Sequence, residues 1–255
     1  MAVTGPAITS GRGMKLFTLI LACMFLPLAA RAQEGLTITP LTGNFYIYTT
    51  YKLINGAPFP SNSMYVVTDS GVVLIDTPWD VAQTYPLLDS IERRHGRRVV
   101  LCVVTHSHDD RTSGLDILKK EGVRTYSTTR TLELCRKKGE KQAEFHFSRD
   151  TTFKVGDLVF QTYYPGEGHT GDNIVVWFPE QKVLYGGCFI KSTESGGLGN
   201  IADANLAKWP ASVRKVMKKF PKRAFVITGH QNWEDPESLE HTLILLKKSG
   251  KSRRK

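Results

Sequence analysis

The chain has 255 residues, a length that supports one domain with a sizeable core. Its formal net charge is +10, but three basic residues and no acid lie in 1–32, and six basic residues lie in 247–255. The sequence between these ends is nearly neutral and has no basic stripe interleaved with aromatic residues, which argues against a nucleic-acid-binding protein. The basic C-terminus, from about residue 247, is interpreted as a solvated tail, with contact to membrane lipid or nucleic acid as the alternative.

The N-terminus has the pattern of a secretory signal. A short apolar stretch at 16–26 follows Lys15, and an A-x-A motif at 30–32 closes the segment. Such a segment is too short to span a membrane as a mature helix and is typical of a cleaved signal peptide. We therefore predict a signal peptide over residues 1–32, with Met14 as an alternative start.

The mature protein is predicted to be a single domain over residues 33–255, exported to the periplasm and without a stable membrane anchor. A lipoprotein acylated on Cys23 is the alternative. Against it, the residues after Cys23 stay apolar, whereas the tether of a lipoprotein should be polar.

Strand and helix patterns alternate along the first half of the chain. β-Branched runs bounded by turn residues predict strands at 44–51, 63–68, 72–76, 99–104 and 124–126. Apolar residues at helical spacing predict a helix at 80–95. Shorter helices are predicted at 115–119 and 128–138.

The second half repeats this organisation. A hairpin is predicted for 151–155 and 158–163, and a second strand pair for 174–178 and 183–185. Helices at 206–220 and 236–248 are predicted on either side of a strand at 225–228. Two strand-rich blocks, each followed by helices, predict an α/β or α+β fold in which two sheets pack together with helices outside.

The most informative motif follows the predicted strand at 99–104. His106, His108 and Asp110 stand two residues apart where that strand opens into a loop. Alternate residues of extended chain point the same way, so the two imidazoles can reach one metal ion, while Asp110 can turn towards a second. Imidazole nitrogen and carboxylate oxygen are preferred zinc ligands.

Three further candidate ligands stand at turns after strand-like runs: His169, Cys188 and His230. Loops at strand ends are where ligands converge in open α/β architectures. The alternative for Cys188 is a small buried apolar residue. Cys102 and Cys135 are interpreted as packing residues, and a disulfide between them is left open.

This pattern resembles the metallo-β-lactamase superfamily, and within it the class B β-lactamases that have one three-histidine and one Asp-Cys-His zinc site. The resemblance extends from about residue 36 to about residue 246. It implies a four-layer αββα sandwich with two Zn²⁺ ions at one edge. The implied first zinc site comprises His106, His108 and His169. The implied second zinc site comprises Asp110, Cys188 and His230.

The resemblance also assigns substrate contacts. Lys191 resembles the residue that binds the substrate carboxylate, and Asn200 the residue that helps to polarise the lactam carbonyl. Asp110 would orient the attacking hydroxide as a catalytic residue. The implied activity is hydrolysis of the amide bond of penicillins, cephalosporins and carbapenems by a zinc-bound hydroxide, in a monomeric enzyme that confers antibiotic resistance.

Other classes of function are less compatible with the residues. Glyoxalase-II-like, lactonase-like and RNA-processing relatives carry a histidine after the aspartate and a bridging aspartate in place of the cysteine, where this chain has Arg111 and Cys188. An exported hydrolase of a thioester, lactone or phosphodiester is therefore the first alternative. A non-catalytic zinc-binding module is the second, although it would leave Lys191 and Asn200 without a role.

Supporting residues are predicted around this site. Arg111 is either a charge close to the metal ligands or half of a surface salt bridge, and both interpretations stay open. Asp76, at the end of a predicted strand, is expected to accept a hydrogen bond near the metals. Residues 54–62 lie between two predicted strands and resemble the family's mobile flap over the active site. Phe59 at its tip either contacts apolar substituents of the substrate or is a partly buried loop residue.

Overall fold

A seven-stranded sheet is built from the first half of the chain. The computed structural model describes residues 35–148 and 150–252, so the predicted signal peptide, including Cys23, lies outside the described residues. The strands are β1 (Thr37–Thr42), β2 (Phe45–Ile54), β3 (Ala57–Thr68), β4 (Gly71–Ile75), β5 (Val99–Val103), β6 (Arg124–Thr128) and β7 (Phe145–Phe147). They are arranged in chain order; β1 to β4 pair antiparallel and β4 to β7 pair parallel.

The second half forms a five-stranded sheet and two of the six helices of the described residues. Its strands are β8 (Thr152–Val155), β9 (Leu158–Tyr163), β10 (Val175–Phe178), β11 (Val183–Gly187) and β12 (Phe225–Thr228), in the order β12-β11-β10-β9-β8. The helices of the described residues are α1 (Thr84–His95), α2 (Asp109–Thr112), α3 (Leu115–Lys120), α4 (Thr129–Lys138), α5 (Trp209–Lys219) and α6 (Ser238–Ser252). A 3-10 turn at Val81–Gln83 precedes α1.

Side chains that alternate along the strands divide the core into three layers. Ile47 and Met64 point between the two sheets, whereas Tyr48 and Tyr65, the next residues, point to the outer face of the first sheet. That outer face packs on α1 and α3, and the outer face of the second sheet packs on α5 and α6 around the fully buried Trp209. The predicted four-layer αββα sandwich is confirmed.

The segment 54–62 is a strand hairpin rather than a loop, so its predicted loop structure is wrong. Asn55 and Gly56 have φ angles of 52° and 80°, which suits a two-residue turn whose twist matches the flanking strands. Strands β2 and β3 continue in register up to this turn, and Phe59 pairs with Lys52. Phe59 therefore lies three residues back from the tip.

The structure also bears on the two remaining cysteines outside the cluster and on the C-terminal helix. Cys102, in β5, and Cys135, in α4, are buried free thiols, so the disulfide that the sequence left open does not form. Helix α6 includes Lys247 and Lys248, as predicted, and continues to Ser252, four residues beyond its predicted end. Among the described residues, none of the helices has both the length and the apolar character that crossing a membrane requires.

Candidate metal centre

All six predicted ligands meet at one edge of the sandwich. Three groups have ligand atoms within 4.8 Å of one another: His106 with His108 and Asp110, His106 with His169 and Cys188, and Asp110 with Cys188 and His230. Shared members connect the three groups into one cluster. The sequence placed these residues in four separate loops, and the fold brings the loops together.

The two sheets contribute equally to the cluster. The loop after β5 and the short helix α2 carry His106, His108 and Asp110. The second sheet supplies the other three: His169 from the β9–β10 connection, Cys188 directly after β11, and His230 two residues after β12. Each predicted set of three ligands therefore combines residues from both sheets.

The donor atoms fit a zinc ion. Among the described residues, His106 Nε2 and Asp110 Oδ1 are buried and have no hydrogen-bond partner. These two atoms lie 3.9 Å apart. Leaving a buried polar atom unsatisfied costs about 1–3 kcal/mol, so His106 Nε2 calls for an electron-pair acceptor and Asp110 Oδ1 for a metal ion or a hydrogen-bond donor. A set of imidazole, carboxylate and thiol donors is the one that zinc prefers.

For two of the histidines, neighbouring groups determine which ring nitrogen carries the proton and which keeps its lone pair. His230 Nδ1 lies 2.8 Å from the Pro60 carbonyl oxygen, which can only accept, so Nδ1 carries the proton. Its Nε2 lies 3.2 Å from Asp110 Oδ2 and 3.2 Å from Cys188 Sγ. His106 Nδ1 lies 3.3 Å from the Thr105 hydroxyl oxygen, which already donates its hydrogen elsewhere and so accepts here. Both rings thus direct an unprotonated Nε2 into the cluster.

Arg111 is completely buried beneath the cluster, so its interpretation as a surface salt bridge is wrong. Its guanidinium donates to Cys188 Sγ at 2.9 Å, to Asp110 Oδ2 at 3.1 Å and to the Asn62 carbonyl oxygen at 2.7 Å. Burial raises the pKa of Asp110, but the charge of Arg111 outweighs burial, and the pKa lies well below its usual range. Asp110 is a carboxylate at neutral pH.

Asp76 organises the backbone beside the first histidine. Its carboxylate accepts from Thr105 N at 2.7 Å, Thr105 Oγ1 at 2.9 Å and Tyr185 Oη at 2.7 Å. Burial raises its pKa to about 6, although Arg111 opposes this shift. The expected hydrogen bonding near the metals is present. Tyr185 and Asn62, which complete this network from within strands, carry no signal in the sequence that would predict this role.

A cavity of about 720 Å³ opens over the cluster and is lined by Phe59, Trp79, Lys191 and Asn200. The Phe59 ring lies 5.2 Å from the His230 ring and 6.4 Å from the Trp79 ring. Lys191 is buried, and its Nζ lies 5.5 Å from the centre of the Trp209 ring. Asn200 is exposed at the rim.

Comparison with protein families identifies the fold family of this centre. The sequence profile described as "Metallo-beta-lactamase superfamily" matches residues 56–230, which is more than half of the chain and includes all six ligands. The chain belongs to the metallo-β-lactamase superfamily. The two-sheet architecture and the position of the metal centre at the sheet edge agree with this membership.

Individual metallo-β-lactamases are similar along nearly the whole chain. A metallo-β-lactamase type 2 from Elizabethkingia meningoseptica is 44% identical over 232 residues, which is 90% of this chain and 93% of that protein. The metallo-β-lactamase type 2 from Bacteroides fragilis is 35% identical over 88% of this chain and 92% of its own. The solved structure of a metallo-β-lactamase from Pontibacter korlensis superposes with a TM-score of 0.81 at 38% identity, covering 83% of this chain and 99% of that one.

Proposed function

We propose that this protein is a zinc-dependent β-lactamase that hydrolyses the amide bond of penicillins, cephalosporins and carbapenems and so confers antibiotic resistance. The observation that carries the proposal is the convergence of six donor side chains under an open cavity, in a chain related to metallo-β-lactamases over nine-tenths of its length. His106, His108 and His169 would hold one zinc ion. Asp110, Cys188 and His230 would hold a second.

The two carboxylate oxygens of Asp110 have different surroundings and can therefore have different roles. Oδ2 is engaged with Arg111, His230 and Cys188, whereas Oδ1 has no hydrogen-bond partner among the described residues and lies 3.9 Å from His106 Nε2. Zinc, when bound, polarises a carbonyl and makes water more acidic. The Oδ1 carboxylate oxygen orients the attacking water by accepting its hydrogen bond and can hold the proton that the water releases.

Lys191 and Asn200, which line the same cavity, are proposed to bind the substrate. The buried ammonium of Lys191 supplies a positive charge for the carboxylate that β-lactams carry. Asn200 Oδ1 accepts a hydrogen bond from Ala202 N at 3.1 Å, which leaves the Nδ2 group as a donor for the lactam carbonyl. Phe59 forms an apolar wall for substituents of the substrate.

The cellular setting forms part of the same proposal. The signal-like N-terminus supports export to the periplasm, where β-lactams meet their targets. We expect a monomer whose partner is a small-molecule β-lactam. The enzyme would need no nucleic acid and no stable membrane anchor.

The test is turnover of a chromogenic cephalosporin, one penicillin and one carbapenem by the purified mature protein, with zinc, with a chelator, and after zinc is restored. We expect turnover that the chelator abolishes and zinc restores. A thioester and a phosphodiester substrate, assayed in parallel, should give no turnover. Chelator-insensitive turnover, or no β-lactam hydrolysis by zinc-loaded protein, would reject the proposal.

A matched pair of variants locates the activity at the cluster. His169→Ala removes a proposed ligand, and we expect kcat/KM to fall by more than about a hundredfold, because loss of an outer partner of a ligand alone costs 10- to 100-fold. His146→Ala changes an exposed histidine in β7 and should leave kcat/KM unchanged. Equal activities of the two variants would place the reaction elsewhere.

A further inference from the structure

Three charged or polar side chains from separate elements form a chain that ends on a metal ligand. Lys138, at the end of α4, donates from Nζ to Asp203 Oδ2 at 2.6 Å. The same oxygen lies 2.8 Å from His108 Nε2. Asp203 belongs to the connection between β11 and α5, so this carboxylate joins α4 to the histidine loop after β5.

The chemistry of Asp203 determines the tautomer of His108. An ionised carboxylate only accepts hydrogen bonds, so His108 Nε2 carries the proton in the hydrogen bond to Asp203. In a neutral imidazole the other nitrogen, Nδ1, then keeps the lone pair that a metal needs. His106 and His230 are held in the opposite sense, with Nδ1 protonated and Nε2 free. His108 is therefore the histidine whose binding atom depends on Asp203.

The same contact secures the loop that carries Asn200. Asn200 and Asp203 are three residues apart, and the turn between them is closed by hydrogen bonds from Ala202 N to Asn200 Oδ1 and from Ala204 N to the Ile201 carbonyl oxygen. A residue that anchors this turn to His108 positions the proposed substrate donor as well as the ligand.

We propose that Asp203, held in place by Lys138, is a positioning residue that fixes the tautomer and orientation of His108 and ties the Asn200 loop to the metal centre. This inference rests on the zinc-site part of the proposed function and not on the identity of the substrate. Lys138 acts only through Asp203, because it holds the carboxylate that contacts His108 and is not itself hydrogen-bonded to the ring.

An ordinary surface ion pair between Lys138 and Asp203 would not affect metal binding. The side chains of Lys138 and Asp203 are 27% and 39% exposed, and a pair of this kind contributes only about 0–1 kcal/mol to folding. The inference therefore predicts a small effect on the free energy of unfolding of the zinc-free protein. It predicts a large effect on metal binding at the three-histidine site.

The experiment measures zinc affinity by competition with a chromophoric chelator for the full mature protein and three variants. Asp203→Ala should raise the zinc dissociation constant of the three-histidine site by about 10- to 100-fold. Only one of the two zinc-binding steps should therefore change. Lys138→Met should weaken the same step by a smaller factor. The double variant should match Asp203→Ala alone, since one residue acts through the other.

Cobalt substitution assigns the affected site. Cobalt bound to the Cys188 thiolate gives a sulfur-to-metal charge-transfer band, so the titration of this band reports the second site separately. We expect the charge-transfer titration to change little in Asp203→Ala while the remaining visible bands appear only at higher cobalt concentration. Lys137→Met, which changes an exposed neighbour on the same helix, should bind both ions as the unaltered protein does.

Each outcome bears on a different claim. Asp203→Ala with zinc affinity within twofold of the unaltered protein would overturn the inference, and so would additive effects of Lys138→Met and Asp203→Ala. Failure of the unaltered protein to bind zinc would instead overturn the proposed function. Urea unfolding of the zinc-free variants checks that any loss of affinity does not come from a loss of fold.

Discussion

At the level of single residues, burial sets the protonation of the candidate ligands. Burial lowers the pKa of His106, His169 and His230, so these imidazoles are neutral and available as ligands at pH 7. Burial has the opposite consequence for Cys188, whose thiol pKa is raised even though Arg111 opposes the shift. In the zinc-free protein the cysteine is therefore a thiol, and it must lose its proton to become a ligand.

Zinc binding at pH 7 should release about one more proton from the unaltered protein than from Cys188→Ser, because the buried histidines have no proton to give and the thiol has one. The measurement is titration calorimetry of zinc binding in two buffers with different ionisation enthalpies. Cys135→Ser, which alters a buried thiol outside the cluster, should release as many protons as the unaltered protein. An equal release from Cys188→Ser would show that the thiol does not bind zinc.

The site residues that could be predicted from the sequence were those with metal-binding side chains at the ends of predicted strands. Histidines and a cysteine at strand ends stand out from the sequence, and the structure brings all six predicted ligands together. Asn62 looks like any strand residue. Its importance comes from bonds to the carbonyl oxygens of Thr228 and Gln231, more than 160 positions away, and to Arg111, and no local pattern reports such contacts.

At the level of elements, the β2–β3 hairpin is the feature that shapes the cavity. Lys52 makes an ion pair of 2.7 Å with Asp109 and lies 5.0 Å from the centre of the Trp79 ring. Its register partner Phe59 packs against both Trp79 and His230. The hairpin is therefore attached to the metal centre three residues from its turn, while Leu53, one residue closer to the turn, is 71% exposed.

Phe59→Ala should raise KM for β-lactams with apolar substituents by roughly fivefold, because it removes an aromatic contact of about 1 kcal/mol, and should change kcat little. Steady-state kinetics with substrates that differ in the size of this substituent would measure the effect. Phe145→Ala, in the exposed strand β7, is the matched control and should leave KM unaltered. An unchanged KM for Phe59→Ala would remove this residue from the substrate site.

Periodicity predicted most elements, but it missed β1, α2 and β7 and did not reveal that 54–62 forms a hairpin. The strands that carry the metal ligands are buried, β-branched and correctly located to within a few residues, as β5 and β12 show. Strand β7 has three residues and two exposed side chains, which is too short for any period to appear. The Asn55-Gly56 pair was a hairpin signal inside a proline-containing segment, and the two prolines made that segment look like a loop.

At the level of the whole molecule, the cluster makes the zinc-free protein sensitive to acid. A histidine whose folded pKa is depressed contributes stability above its unfolded pKa of about 6.5, and this contribution is lost as the pH falls. His106 and His169 both behave in this way, and His230 to a smaller extent. Asp76 acts in the opposite direction, since its pKa is raised to about 6 and its protonation favours the fold.

The free energy of unfolding of the zinc-free protein should therefore fall by about 2 kcal/mol between pH 7 and pH 5, because two strongly shifted histidines outweigh one aspartate. Urea unfolding at a series of pH values measures this change. His169→Gln should flatten the slope by about 1.4 kcal/mol per pH unit, and His146→Gln should not alter it. A flat profile for the unaltered protein would mean that these imidazoles are not held neutral by the fold.

Since each proposed zinc site takes ligands from both sheets, neither set can be gathered by a chain that has folded only half of its sandwich. Unlike a zinc finger, which is unfolded until its ion arrives, this protein would complete either proposed zinc site only after both sheets have come together. Zinc would enter as the last component of a finished molecule. The amount of the ion available where folding is completed, and not where synthesis begins, would then decide how many copies become active.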